Sequence, residues 1–290
     1  NMVVIGAGAG GLVSSYIAAT VKAKVTLIEA NKMGGDCLNY GCVPSKSLIK
    51  SAKVAHNMRH GEDYGLQNVE VDYDFKAVMN RIQQVIKKIE PNDSVERYTG
   101  LGVEVIKGYA TIVNPWTVEI KGNDGQVQQL STRNIVIAAG SRPFVPPIEG
   151  LENVDYLTSD NLWEKLSHQS LPPKRLVIIG GGPIGCELSQ AFARLGSSVI
   201  QIERGGRLLK KEDLEYFIDS IKYIPKFEVM DILKHNEVIS KITIGIFYNG
   251  LDNDLELSIE EITTIRNECE KAYQECLKLK LFEMYFNKEE

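Results

Sequence analysis

No uninterrupted apolar run in the 290 residues approaches the roughly 20 that a membrane-spanning helix needs, so no membrane partner is expected. The opening stretch NMVVIGAGAGGLVSS is apolar but has no basic region ahead of it, and it does not read as a secretory leader. Beginning at Asn1, it reads as clipped by a few residues. Positive charge is not in excess: 33 Lys+Arg against 38 Asp+Glu leave a net −5, which argues against nucleic acid or an anionic membrane as the main partner. Cysteine is sparse. The five thiols, Cys37, Cys42, Cys186, Cys269 and Cys276, are too few for a secreted disulfide framework, and a cytoplasmic location is expected. Histidine is sparser still, at His56, His60, His168 and His235.

The sequence does contain enough apolar residues, 43%, for real cores, and its length suits about two domains. MVVIGAGAGGL is a short strand running into Gly6, Gly8 and Gly11, spaced G-x-G-x-x-G, with an amphipathic helix predicted from about residue 10 to 22. The first glycine permits a tight turn, the second lets backbone approach a pyrophosphate, and the third allows close helix packing. The helix start adds N–H groups and a positive dipole. The next strand, AKVTLIEA, ends at Glu29, where a carboxylate suits ribose hydroxyls.

The device recurs in RLVIIGGGPIGCELSQAFARLGSSVIQIER, with Gly180, Gly182 and Gly185 followed by Glu203. Two such units imply two dinucleotides, naturally a flavin and a nicotinamide. Glu203 favours NAD(H), because a carboxylate there repels a 2′-phosphate; Arg204 and Arg207 keep NADP(H) as the weaker choice.

Between the units lies GGDCLNYGCVPSK, in which Cys37 and Cys42 invite three readings: a metal site, a structural disulfide or a redox couple. A closed zinc site needs four ligands, no second cysteine pair follows, and His56 and His60 would point away from the motif, so no metal is expected. A dithiol near a helix start can have a lowered thiol pKa, giving a thiolate that exchanges disulfides. Cys186, inside the second glycine turn, reads as a small packed hydrophobe.

At this point the chain resembles the class I pyridine nucleotide–disulfide oxidoreductases, the family of dihydrolipoamide dehydrogenase, glutathione reductase and mercuric reductase. GGDCLNYGCVPSK is similar to that family's redox signature, with Asp36 and Tyr40 at positions where other residues are common. IVIAAGSRPFVPPIEG resembles the stretch where the flavin domain crosses over, adding Gly140 to the expected cofactor contacts. SVERYTGLGVEVIKGYATI and YLTSDNLWE are similar to the mercuric reductase or dihydrolipoamide dehydrogenase-like branch, and the likeness covers about residues 2 to 214. It implies bound FAD, Cys42 facing the flavin, Cys37 as the interchange thiol, and Lys46 paired with Glu187 near the flavin. It also implies hydride passing from NAD(P)H to FAD and electrons onward to the Cys37–Cys42 disulfide and a disulfide, dithiol or Hg(II) substrate. A flavin monooxygenase would share the glycine turns but leaves the cysteine pair unexplained.

The expected fold is α/β: two Rossmann-like dinucleotide-binding units, the second incomplete, plus an α+β tail. Residues 1–149 would be the FAD domain with the cysteine pair, 150–214 a partial NAD(P) domain, and 215–290 a divergent, fused or rearranged tail. CVPSKSLIKSAKVAHNMR and FKAVMNRIQQVIKKIEPNDSVERY are predicted as helices, residues 103–120 as a β-meander with Trp116 packed, and NIVIAAG as a strand of the first sheet. In the tail, VISKITIGIFY is predicted as a strand. SIEEITTIRNECEKAYQECLKLKLFEMYF is predicted as an amphipathic helix with Cys269 and Cys276 on one face. No histidine precedes a proline, so the family's His-Pro base and its dimerisation domain are expected to be missing. The alternative function is therefore a truncated nucleotide-binding protein without turnover.

Overall fold

The computed structural model describes residues 1–148, 150–203, 208–209, 227–232 and 242–247, which fall into two compact units. The first comprises Asn1–Leu48, Lys76–Phe144 and Leu157–His168; the second comprises Ile49–Phe75, Val145–Tyr156 and Gln169–Glu290.

The first unit opens with β1 (Met2–Ile5), α1 (Ala9–Thr20) and β2 (Val25–Glu29), a crossover that makes β1 and β2 parallel neighbours. The cysteine segment follows as α2 (Gly35–Asn39) and the start of α3 (Cys42–Arg59), whose far end belongs to the second unit. Then come α4 (Phe75–Ile89), α5 (Val95–Gly100), β3 (Val103–Asn114), β4 (Thr117–Gly122), β5 (Val127–Ser131), β6 (Asn134–Ile137) and the short α6 (Leu162–Lys165). The sheet order is β5-β4-β3-β2-β1-β6. β3 belongs to two arrangements: Val103–Lys107 pair in parallel with β2, and Gly108 onward pairs antiparallel with β4. Apolar residues of β1, β2 and α1, with Val4 and Leu27 fully buried, form a core that Tyr98 of α5 closes.

NIVIAAG is the strand expected in this sheet: β6 lies parallel beside β1. α3 spans the whole of the CVPSKSLIKSAKVAHNMR helix. The helix predicted through residue 98 is broken, however. Pro91 offers no N–H and falls in a 3₁₀ turn, Glu90–Asp93, after which Ser94 Oγ accepts from the Arg97 N–H at 3.2 Å and starts α5 afresh. β5 extends the meander beyond the expected 120. Trp116, expected to pack, is 63% exposed at the β3–β4 turn, where Asn114 Oδ1 accepts from its backbone N–H.

In the second unit, β7 (Arg175–Ile179), α7 (Pro183–Arg194) and β8 (Ser198–Glu203) repeat the crossover, with β7 and β8 parallel. β9 (Phe227–Ile232) and β10 (Ile242–Phe247) complete a sheet ordered β7-β8-β10-β9, β10 running antiparallel to both neighbours. β10 is the strand predicted in VISKITIGIFY. The amphipathic segment with Cys269 and Cys276, together with Arg204, Arg207 and His235, lies outside the described residues. Among the described residues no helix is long and apolar enough to cross a membrane.

The α1 glycines differ sharply in tolerance. A Cβ on Gly11 would sit 1.7 Å from the Gly6 carbonyl oxygen, whereas one on Gly10 meets only the Ala138 methyl at 3.8 Å. Gly10→Ala is therefore expected to leave stability unchanged or raise it by up to about 1 kcal/mol, and Gly11→Ala to cost several times that. Denaturant unfolding of the two variants checks the order.

Candidate active site: two glycine turns and a thiol pair

At the first turn, β1 delivers Gly6 at φ +100°, its N–H bonded to Ile28 O at 2.8 Å. The missing side chain matters here, because a Cβ on Gly6 would lie 2.2 Å from the Ala138 carbonyl oxygen. Gly8 caps α1 in extended conformation without a side chain, so the first helical turn presents bare backbone. Glu29, buried at the end of β2, accepts from the Ala7 N–H and the Asn31 N–H, each at 2.6 Å and each through a different oxygen. Each carboxylate oxygen keeps a second lone pair for a ribose hydroxyl. Gly140, at φ +72°, is exposed just past the Ala138–Ala139 segment that crosses over Gly6. The cradle suits an anionic dinucleotide: unhindered N–H groups at a helix start, backbone with no side chain in the way, and an acid at the neighbouring strand end.

The cysteine segment is built onto this turn. The Gly34 N–H donates to the Ala7 carbonyl at 2.9 Å, and Gly35, at φ +53°, is so close that a Cβ would come within 2.6 Å of Gly8 Cα. Asn39 Nδ2 ties α2 down through Met33 O (3.0 Å) and Gly35 O (2.9 Å), and the buried Trp163 donates its indole N–H to Tyr40 O at 2.7 Å. The chain then turns through Gly41, whose N–H reaches Asp36 O at 2.6 Å, and Cys42 opens α3. This brings Cys37 and Cys42 together as unbridged thiols, Cys37 half-buried and Cys42 exposed.

The electrostatics of Cys37 run the other way. Its thiol is not lowered. Burial pushes it up to about 11, reinforced by its hydrogen bond to the Cys42 sulfur, by the Cys42 charge and by the carboxylate of Asp93, while the Cys42 backbone pulls the other way. A helix start favours a thiolate only where the sulfur is solvated or faces a cation, and Cys37 faces a second sulfur and an acid. Asp93 is itself half-buried, its carboxyl raised by burial and lowered by Arg97. The sequence reading missed Asp93, which lies 56 residues from Cys37 in a segment taken for continuous helix.

The second turn reproduces the first. Gly180 takes φ +116°, its N–H reaches Ile202 O at 2.8 Å, Gly182 caps α7 without a side chain, and a Cβ on Gly185 would lie 2.3 Å from Gly180 O. Glu203 Oε2 accepts from the Gly181 N–H at 2.6 Å, as Glu29 does from Ala7. Cys186 is half-buried, its thiol donating to Gly181 O at 3.6 Å and its pKa raised by burial, in keeping with a packed side chain. Lys46 is exposed on α3 in the first unit, and Glu187 is half-buried on α7 in the second. The histidines once weighed as zinc ligands stack on each other, His56 against His60 with centroids 4.2 Å apart. Among the described residues no group of three His, Cys, Asp or Glu side chains could hold a metal ion.

Comparison with known proteins decides the family. The description "Pyridine nucleotide-disulphide oxidoreductase" matches residues 1–222, more than half of the sequence. The chain belongs to this family. It is 37% identical to a mercuric reductase of Bacillus cereus over 215 residues, 74% of this chain and 33% of that protein. It is 36% identical to a mercuric reductase of Lysinibacillus sphaericus, covering 38% of it. A dihydrolipoyl dehydrogenase of Acholeplasma laidlawii is 33% identical over 253 residues, 83% of this chain and 72% of that protein. The chain thus spans between a third and under half of the mercuric reductases it matches. The likeness also runs past residue 214, since an alignment over 83% of the chain cannot end there.

Two measurements follow from these pKa directions. Alkylation of Cys37 by iodoacetamide, followed by mass spectrometry, should stay slow below about pH 9 and rise toward 11. Asp93→Asn, which removes a negative charge, should move the rise to lower pH. Separately, burial and the charges of Arg194, His60 and Arg59 depress His56 to about 4 against the help of Asp63. A depressed folded pKa favours neutral His56, so this contribution is full above pH 6.5 and is lost as pH falls toward 4. His56→Gln should flatten the difference between thermal melts at pH 7 and pH 4.5.

Proposed function

We propose that the chain is the nucleotide- and thiol-bearing part of an FAD-dependent pyridine nucleotide–disulfide oxidoreductase. The observation that carries this reading is the seating of the thiol pair on the first glycine turn, through the Gly34–Ala7 hydrogen bond and the Gly35–Gly8 contact. A dinucleotide in that cradle and the two sulfurs share one backbone frame.

Gly6, Gly8, Gly11, Glu29 and Gly140 serve FAD, and Gly180, Gly182, Gly185 and Glu203 serve the nicotinamide coenzyme. When bound, the two groups supply two-electron chemistry. The chain's own part is thiol chemistry: Cys37 and Cys42 lose two protons and two electrons to form one S–S bond, and regain them on reduction. In the family pattern Cys42 faces the flavin and Cys37 meets a disulfide, dithiol or Hg(II) substrate. Lys46 and Glu187 are the two charged residues that the family pattern assigns to the flavin. The FAD part is residues 1–149, and the NAD(P) part begins near residue 150. Glu203 favours NAD over NADP, the family's members are homodimers, and the cytoplasm is the expected location.

A second reading, nucleotide binding without turnover, draws on the protonated Cys37. A thiol held near 11 is a poor nucleophile at neutral pH unless a partner takes its proton.

Anaerobic titration of FAD-loaded protein with NADH separates the two. The first reading expects a long-wavelength absorption band that Cys42→Ser abolishes and Cys37→Ser preserves. Absence of the band with both cysteines intact sinks it in favour of the second.

A further inference from the structure

The two glycine turns superpose residue for residue in role, so the places where they differ are informative. Beneath the first turn the side chains are Leu12 on α1 and Leu27 on β2, both buried and apolar. At the corresponding places beneath the second turn stand Cys186 on α7 and Gln201 on β8. Gln201 is 0% exposed. Its Nε2 donates to the Gly180 carbonyl at 2.8 Å and to Cys186 Sγ at 3.5 Å, and its Oε1 has no partner among the described residues.

The Gly180 carbonyl and the Gly181 N–H are two ends of one peptide group. Gln201 holds the first and Glu203 Oε2 holds the second, at 2.6 Å. Residues 201 and 203 are two apart on β8 and share a face, so one strand clamps the peptide from both ends. The next peptide is held as well: Gly181 O accepts from the Leu209 N–H at 2.7 Å and from the Cys186 thiol at 3.6 Å. An N–H points opposite to the carbonyl of its own peptide. Pinning Gly181 O therefore fixes the direction of the Gly182 N–H at the start of α7, where a pyrophosphate meets a turn of this kind.

A fully buried amide with one orphaned oxygen is unfavourable for stability, and Leu27 shows that the same turn forms over an apolar side chain. We propose that Gln201 is a positioning residue for the nicotinamide coenzyme, setting the backbone of the second turn for its pyrophosphate, with Cys186 as its relay. The inference rests on the reading of the second turn as the nicotinamide site.

The test uses the full chain loaded with FAD and NADH as the probe, followed by its fluorescence, beside thermal melts. Gln201→Leu copies the first turn, and Gln201→Met keeps length and volume without a donor. Both should melt at or above the wild-type temperature, retain FAD, and bind NADH about fivefold to tenfold more weakly, the loss of roughly one hydrogen bond's worth of preorganisation. Unchanged NADH affinity overturns the inference, and so does a melting temperature that falls together with affinity, since that marks a merely structural role. If the wild-type chain itself binds no NADH, the reading of the second turn fails first and the inference falls with it.

Discussion

Backbone packed against backbone, with no room for a Cβ, is the constraint on which the first unit depends. Gly11 lies over the Gly6 carbonyl, Gly35 lies on Gly8, and the Ala138 carbonyl covers Gly6. These contacts join four separate pieces of chain: strand β1, helix α1, the cysteine segment and the crossover after β6. Van der Waals contact at this distance is intolerant of added volume, so each piece fixes the others to within a fraction of an ångström. The thiol pair inherits that precision without standing on a long element of its own, since α2 has only five residues.

The second unit uses the same construction with a different lining. Glu29 and Glu203 do the same job at the two strand ends, each accepting the N–H of the residue after the first glycine. The apolar pair beneath the first turn gives way to an amide and a thiol beneath the second. Membership of the pyridine nucleotide–disulphide oxidoreductases accounts for the repeat. It does not account for the polar substitution, which costs stability locally and so points to a role in the coenzyme site.

Much of this was legible in the sequence, because the relevant signals are local. The glycine spacings, the acids at Glu29 and Glu203 and the bounds of α3 depend on residues within a few turns of one another. Pro91 was visible too, yet its break was overlooked because the apolar period continues on both sides of it. The exposure of Trp116 and the raised thiol of Cys37 were not legible. Both follow from the folded chain: an exposed hairpin turn at Trp116, and a carboxylate at Asp93 brought in from a distant segment. The place of Gln201 shows only in the fold, where its counterpart Leu27 lies beneath the equivalent turn.

The central claim is that Cys37 and Cys42 are a reversible couple held on the flavin-side turn. Disulfide mapping by mass spectrometry tests it most directly, on the intact chain before and after mild chemical reduction and again after reoxidation in air. The account predicts a single Cys37–Cys42 bridge that opens, closes again, and leaves Cys186 free throughout. Two permanently free thiols, or a bridge from either cysteine to Cys186, would contradict it.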